Sequence, residues 1–248
     1  MKTIGLIGGM SWQSTTHYYQ LLNQVVADRL GGLHSAQVVV YSLDFAPIER
    51  CQTSGDWDQA GDILAEAARA LERVGADYLA ICANTMHKVA DQVQAAVSIP
   101  LIHLASATAE VLNAAGVTTV GLLGTRYTME QDFYQSVIRQ AGIDVIVPPP
   151  ADIEATNTII FDQLCLGILT DESRQQYLRV IDDLAGRGAQ GVILGCTEIG
   201  LLIKPSDTAV RLFDTTEIHV NRLAELSLAD EATPPAAGSA DRGRPATD

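Results

Sequence analysis

Four short segments of this 248-residue chain gather small, polar and nucleophilic residues of kinds that a packed core does not require. They are GGMSWQST from Gly8, CANTMH from Cys82, GTRYT from Gly124 and GCTEIG from Gly195. Each follows a run rich in Val, Ile and Leu and leads into a helical pattern. A strand-to-helix turn leaves backbone N–H groups aimed at the loop, where the helix dipole favours negative charge such as a carboxylate. Cys196 is the sharpest position, because it follows VILG and precedes Thr197 and Glu198. A thiol at a helix start is expected to ionise more readily than the free side chain, whose pKa is about 8.5. A partly ionised thiol takes protons or attacks carbon at neutral pH. The competing reading is a small buried side chain with no chemistry, a common fate of cysteine. Cys51, at a polar loop entry, and Cys165, in IIFDQLCLGIL, read as structural.

The elements that must position these loops are legible in the pattern. Apolar runs at Thr3–Ile7, Gln37–Ser42, Tyr78–Ile81, Leu101–His103, Thr119–Leu123, Asp144–Val147, Val192–Leu194 and Val210–Phe213 alternate with helical stretches. In Trp57–Val74, for example, Ile63, Leu64, Ala67, Ala68 and Leu71 recur at helical spacing. Several runs are continuously apolar, as parallel strands covered on both faces must be. The alternation predicts an α/β fold, whose ligands sit beyond the carboxyl ends of the strands. The chain also resembles itself. TIGLIGGM from Thr3 matches TVGLLGTR from Thr119, and GADYLAICANT from Gly75 matches GAQGVILGCTE from Gly188, at offsets of 116 and 113. Two matches in one order at nearly one offset point to a duplicated unit. The expectation is two similar lobes, each a mostly parallel sheet of about four strands flanked by helices, with a cleft between them. Residues 1–105 with 209–226 would form the first lobe and 106–208 the second. The tail, 227–248, has almost nothing to bury and reads as disordered.

Charge narrows the ligand. Thirty Asp and Glu against 16 Lys and Arg give a formal net charge of −14, with no basic stripe. Nucleic acid and anionic membrane surfaces are therefore disfavoured as partners. No apolar stretch is long enough to span a bilayer, and MKTIGLIGGM lacks a cleavage pattern, so a cytoplasmic location is expected. There the scattered Cys51, Cys82, Cys165 and Cys196 would be free thiols. His17, His34, His87, His103 and His219 show no ligand spacing, so no metal is expected. GLIGG lacks the dinucleotide fingerprint, so no nicotinamide is expected either.

Taken in order, GGMSWQST, ANTMH and GCTEIG resemble the aspartate/glutamate racemase family of cofactor-independent amino-acid racemases, over about residues 1–226. The string is most similar to the broad-specificity enterobacterial branch. The resemblance implies two lobes, a homodimer, an amino-acid substrate in the cleft, no cofactor, and one thiol from each lobe facing the substrate α-carbon. Cys196 stands where the second-lobe thiol is implied. The first-lobe thiol of the family immediately precedes Asn-Thr, and that position here is Ala83. The repeat agrees, pairing Ala83 with Cys196 and Cys82 with Gly195. Strand alternation then points Cys82 away from the cleft, leaving it either a buried structural thiol or a group that swings in. A methyl group moves no proton. Racemisation with water or Thr85 on that face, a single-cysteine decarboxylase or lyase, and a non-catalytic amino-acid-binding relative all remain open. The resemblance further implies that Met10 and Ser11 cover the substrate, and that Asn84, Thr85, Thr197 and Glu198 bind its carboxylate and amine, with Thr125 and Thr128 in the matching second-lobe loop. Gln52 or Arg50 would meet a side-chain carboxylate. The family's second basic contact falls near Leu164–Leu166, which is apolar here and fits a broader or different substrate. Each polar residue also has a reading as a helix cap; His87 reads as a thiol tuner or a structural His, His103 as core, and Asp214 as an amine ligand or a cap.

Overall fold

The computed structural model describes residues 1–229. The strands are β1 (Ile4–Gly8), β2 (Val38–Ser42), β3 (Tyr78–Ile81), β4 (Thr119–Gly124), β5 (Asp144–Ile146), β6 (Val192–Gly195) and β7 (Leu212–Asp214). Helices α1 (Trp12–Leu30), α2 (Phe45–Ser54), α3 (Trp57–Arg73) and α4 (Ala90–Ala95) follow the early strands. They are succeeded by α5 (Leu104–Ala114), α6 (Arg126–Glu130), α7 (Asp132–Gln140), α8 (Pro150–Asp162), α9 (Asp171–Gly186), α10 (Ile199–Leu202) and α11 (Thr215–Leu228). One sheet runs β2-β1-β3 and the other β5-β4-β6-β7, with every pairing parallel. All residues of β1 and β6 are buried, as expected for continuous apolar runs covered by helices on both faces. α3 shows how the covering helices form. The Asp56 side chain caps its start by accepting the Gln59 N–H, and its buried face carries Leu64, Ala67, Ala68 and Leu71. Burying each leucine contributes roughly 1.5–3 kcal/mol.

The internal repeat appears as matched register. Ile7 pairs with Ile81 in the first sheet, and the residues at offsets of 116 and 113, Leu123 and Leu194, pair in the second. The order β2-β1-β3 is reproduced as β5-β4-β6. The four polar loops therefore leave equivalent strand ends.

Three expectations are corrected. Leu101–His103 is no full strand: only Leu101 forms a bridge, to Leu79, because His103 already turns into α5. The first sheet thus has three strands. β7, expected to return to the first lobe, pairs with β6 as the edge of the second sheet. It is α11, the helix after it, that packs against α1 and α5. A three-residue strand carries no sign of its partner; here Phe213 lies over Gly191, where a side chain would leave no room. Finally, α11 continues through Leu228, so the proposed tail starts too early. Ser227 is fully buried, its hydroxyl donating to Lys2 O and its carbonyl accepting the Lys2 N–H. The rest of that tail, from 230 on, lies outside the described residues.

Candidate active site

The loops after β1, β3, β4 and β6 converge on one cavity of about 430 Å³, a volume that includes its open mouth. Met10, Gln52, Ala83, Asn84, Thr85, Thr125, Cys196, Thr197 and Glu198 line it, as do Phe45, Ile160, Phe161, Cys165 and Gly195. Gly195 lets the second-lobe strands close beneath the thiol, since a Cβ there would lie 2.6 Å from Leu123 O.

Cys196 is 9% exposed, with that exposure on the cavity. Its Sγ–H donates to Glu198 Oε2 at 3.1 Å, while Ser11 Oγ–H donates to Glu198 Oε1 at 2.7 Å. One buried carboxylate thus joins the first glycine-rich loop to the thiol across the two lobes. The expected easy ionisation of Cys196 is corrected by this arrangement. Burial, then the Glu198 charge and the nearby Cys165, hold its pKa well above the usual value, so the thiol rests protonated. α10, the helix that follows, has only four residues and supplies too little dipole to oppose them.

The opposite loop presents Ala83, not a thiol, to the cavity. Cys82 lies fully buried among Ile4, Leu6, Tyr18 and Val220. Its N–H donates to Ile7 O and its carbonyl accepts Ser14 Oγ–H at 3.0 Å. Burial raises its pKa strongly. A direct proton-transfer role for Cys82 does not fit, because alternation at the strand end turns it into the core.

Around these groups runs a polar lining. Thr85 Oγ1 meets Thr125 Oγ1 at 2.9 Å across the cleft, and Thr125 Oγ1 meets Thr128 Oγ1 at 3.2 Å. Thr128 itself is fully buried behind Thr125. Asn84 Nδ2 donates to Thr215 Oγ1, whereas its buried Oδ1 has no partner among the described residues. Ser11 and Thr125 are also helix caps, accepting the N–H groups of Ser14 and Thr128. Gln52 Nε2 donates to Met86 Sδ at 3.1 Å. Arg50 is not among the lining residues.

The neighbouring titratable residues sort as structural. His87 Nδ1–H donates to Ala83 O at 2.9 Å and Nε2 accepts the Leu104 N–H, so a neutral ring fixes the Ala83 backbone. Burial, with His103 and His219 nearby, keeps it uncharged. His103 is half-buried at the start of α5, with its ring edge-on to His87 at 4.8 Å. Asp214 caps α11 through Oδ1 and is not at the cavity. Cys165, read as structural, in fact lines the cavity, with burial pushing its thiol up to about 12. The missed signal was its place within the apolar Leu164–Leu166 stretch, where the resemblance implied a basic contact.

Comparison with known proteins identifies the family and the fold. A family described as Asp/Glu/hydantoin racemase matches residues 7–223. The chain belongs to that family. Among solved structures, a candidate Asp/Glu racemase from Yersinia pestis is 51% identical, with a TM-score of 0.85 over 92% of this chain and 100% of its own. An aspartate racemase homologue from Pyrococcus horikoshii is 38% identical, with a TM-score of 0.80 over 92% of this chain and 99% of its own. A broad-specificity amino-acid racemase from Bacillus subtilis is 31% identical over 91 residues, 37% of this chain and 40% of that relative's length. The two parallel sheets flanked by helices are the frame this chain shares with those structures. Among the described residues no helix is long and apolar enough to cross a membrane.

Proposed function

We propose that the protein is an amino-acid racemase, needing no cofactor, that moves the α-proton of a free amino acid through Cys196. The observation that carries the reading is the Cys196–Glu198 pair at the wall of the inter-lobe cavity. A resting thiol is a proton donor. To act as a base it first loses its proton, and Glu198 Oε2 is the acceptor within reach. The carboxylate would be steadied by the Ser11 hydroxyl on its other oxygen. The Cys196 thiolate then removes the α-proton from one face of the substrate, leaving a planar carbanion. Thr85, Thr125 and Thr197 hydrogen-bond the substrate carboxylate, and Asn84 Oδ1, which has no other partner among the described residues, accepts from its amine. On the second face, beside Ala83, a water admitted through the mouth of the cavity returns the proton, and the hydroxide it leaves is neutralised by the proton that Glu198 took from Cys196, which restores the resting pair. Two copies of the chain working in the cytoplasm complete the proposal, testable by light scattering and by fractionation.

Incubation in deuterated solvent tests the chemistry. Wild-type protein should exchange the substrate α-proton, and Cys196→Ser should abolish exchange; undiminished exchange in that variant overturns the role of Cys196. With one thiol, exchange that keeps configuration should outpace racemisation. A second reading is favoured by Ala83 itself: a lone resting thiol suffices to protonate the planar intermediate left when a malonate-type acid loses carbon dioxide. Release of carbon dioxide without α-proton exchange would select it. Binding of amino acids with neither reaction would select a non-catalytic relative.

A further inference from the structure

We infer that the site takes an amino acid with an uncharged side chain and that Gln52 is the residue that reads it; this rests on the racemase reading and narrows its substrate. The reacting end of the cavity is made by Ala83, Asn84, Thr85, Thr125 and the Cys196–Glu198 pair. The lining that remains for the side chain is Met10, Phe45, Gln52, Ile160, Phe161 and Cys165. Among the described residues, no Lys, Arg or His lines it, and Glu198 is its one carboxylate. A second cavity adjoins through the shared Gln52 and Phe161, and it holds Arg126. That guanidinium is already paired with Glu154, and Glu49 lines the same space. An aspartate or glutamate side chain would therefore exchange water for a largely apolar wall with no cation in its own lining, near existing negative charge, which disfavours the charged form. The protein's net charge of −14 also repels an anionic substrate on approach but leaves a zwitterion unaffected.

Gln52 completes the argument. It is 5% exposed, and its amide N–H donates to the Met86 thioether, a weak acceptor. That donor is readily given up to a better partner, and the same amide also offers an acceptor. A group with both suits an amide or hydroxyl side chain, and it is half-mismatched to a carboxylate, which only accepts.

The test compares L-methionine, L-leucine and L-glutamine with L-aspartate and L-glutamate, by α-proton exchange in deuterated solvent and by calorimetric binding to the full chain. The neutral amino acids should exceed the acidic ones by at least about tenfold in kcat/KM, a step that one displaced charge pairing readily supplies. Gln52→Arg should move that ratio at least about tenfold towards the acidic pair, and Gln52→Leu should lower glutamine against leucine, with melting temperatures checking that both variants fold. Faster turnover of the acidic pair overturns this inference and leaves the racemase reading intact. Neutral binding without exchange of any amino acid supports the inference and overturns that reading. Binding of none overturns both, and an unshifted ratio in Gln52→Arg removes Gln52 as the reader.

Discussion

Replacing Glu198 with glutamine separates the two things its carboxylate does to Cys196. In the wild type the carboxylate receives the thiol hydrogen at 3.1 Å, and its charge is the largest contribution after burial to keeping the thiol protonated. The amide keeps the shape but carries no charge and takes up no proton at neutral pH. The Cys196 pKa should therefore fall in the variant, because a nearby negative charge is removed. Iodoacetamide labelling of the peptide containing Cys196, followed by mass, should show a labelling midpoint at lower pH. Catalysis should move the other way. A positioned general base contributes about 10²- to 10⁴-fold, so α-proton exchange at neutral pH should drop at least ~10²-fold although the thiol ionises more easily. Stability should change little. The Ser11 hydroxyl loses a charged acceptor for a neutral one, costing about 1 kcal/mol, and the loss of a buried charge offsets this. Exchange unchanged in Glu198→Gln, or a labelling midpoint displaced upward, would refute the proton path from thiol to carboxylate.

Ala83→Cys should raise racemisation relative to exchange, measured by polarimetry beside deuterium incorporation; an unchanged ratio would mean that residue 83 does not face the α-carbon. Cys82 should resist alkylation in the folded protein and react only after denaturation, since its side chain is fully buried. His219, whose Nδ1 accepts from Tyr18 and whose Nε2–H donates to Ile102 O, is held neutral by burial, with its pKa lowered from 6.5 to about 4. Its contribution, on the order of 3 kcal/mol, is complete above 6.5 and lost as pH falls through about 4. Denaturant titrations at several pH values should show that loss in the wild type and a flatter profile in His219→Gln. Asp214 has the opposite sign: burial raises its pKa from 3.8 to about 6, so it favours the folded state below 3.8 and that advantage disappears as pH rises through about 6. Asp214→Asn, which keeps the helix cap, should flatten that decline in the same titrations.

The sequence carried most of the strand positions because each sheet is parallel and covered. Runs such as LAI and VILG are apolar on both faces, and the repeat fixed which strands are equivalent. Tyr78–Ile81 is a strand with the expected bounds, and Val192–Leu194 gains only Gly195. Convergence of the four polar loops was legible for the same reason, as was the outward turn of Ala83 against Cys82. What the sequence concealed depends on neighbours distant in the chain. The state of the Cys196 thiol is set by burial and by a carboxylate folded back from two residues away, while Ser11, 187 residues from Glu198, holds the other oxygen. Cys165 was hidden by its apolar surroundings, which are themselves the wall of the cavity. β7 was misplaced because the chain pairs the strand with one half and packs the following helix on the other.

The matched register of the two sheets bears on how this molecule treats handedness. An enzyme that interconverts mirror-image molecules cannot be a mirror image of itself, because every residue is L. Duplication offers a substitute: a pseudo-dyad presents like strand ends to the two sides of a flat intermediate. Here that near-equivalence holds for the backbone and fails at the side chains of the loops, among them a methyl at Ala83 against a sulfhydryl at Cys196. The end point of the reaction, equal amounts of both enantiomers, is unaffected, since no catalyst shifts an equilibrium. Under the mechanism proposed above, the broken symmetry would alter the history of each hydrogen, solvent-borne on one side and sulfur-borne on the other, a difference that isotope fractionation would preserve.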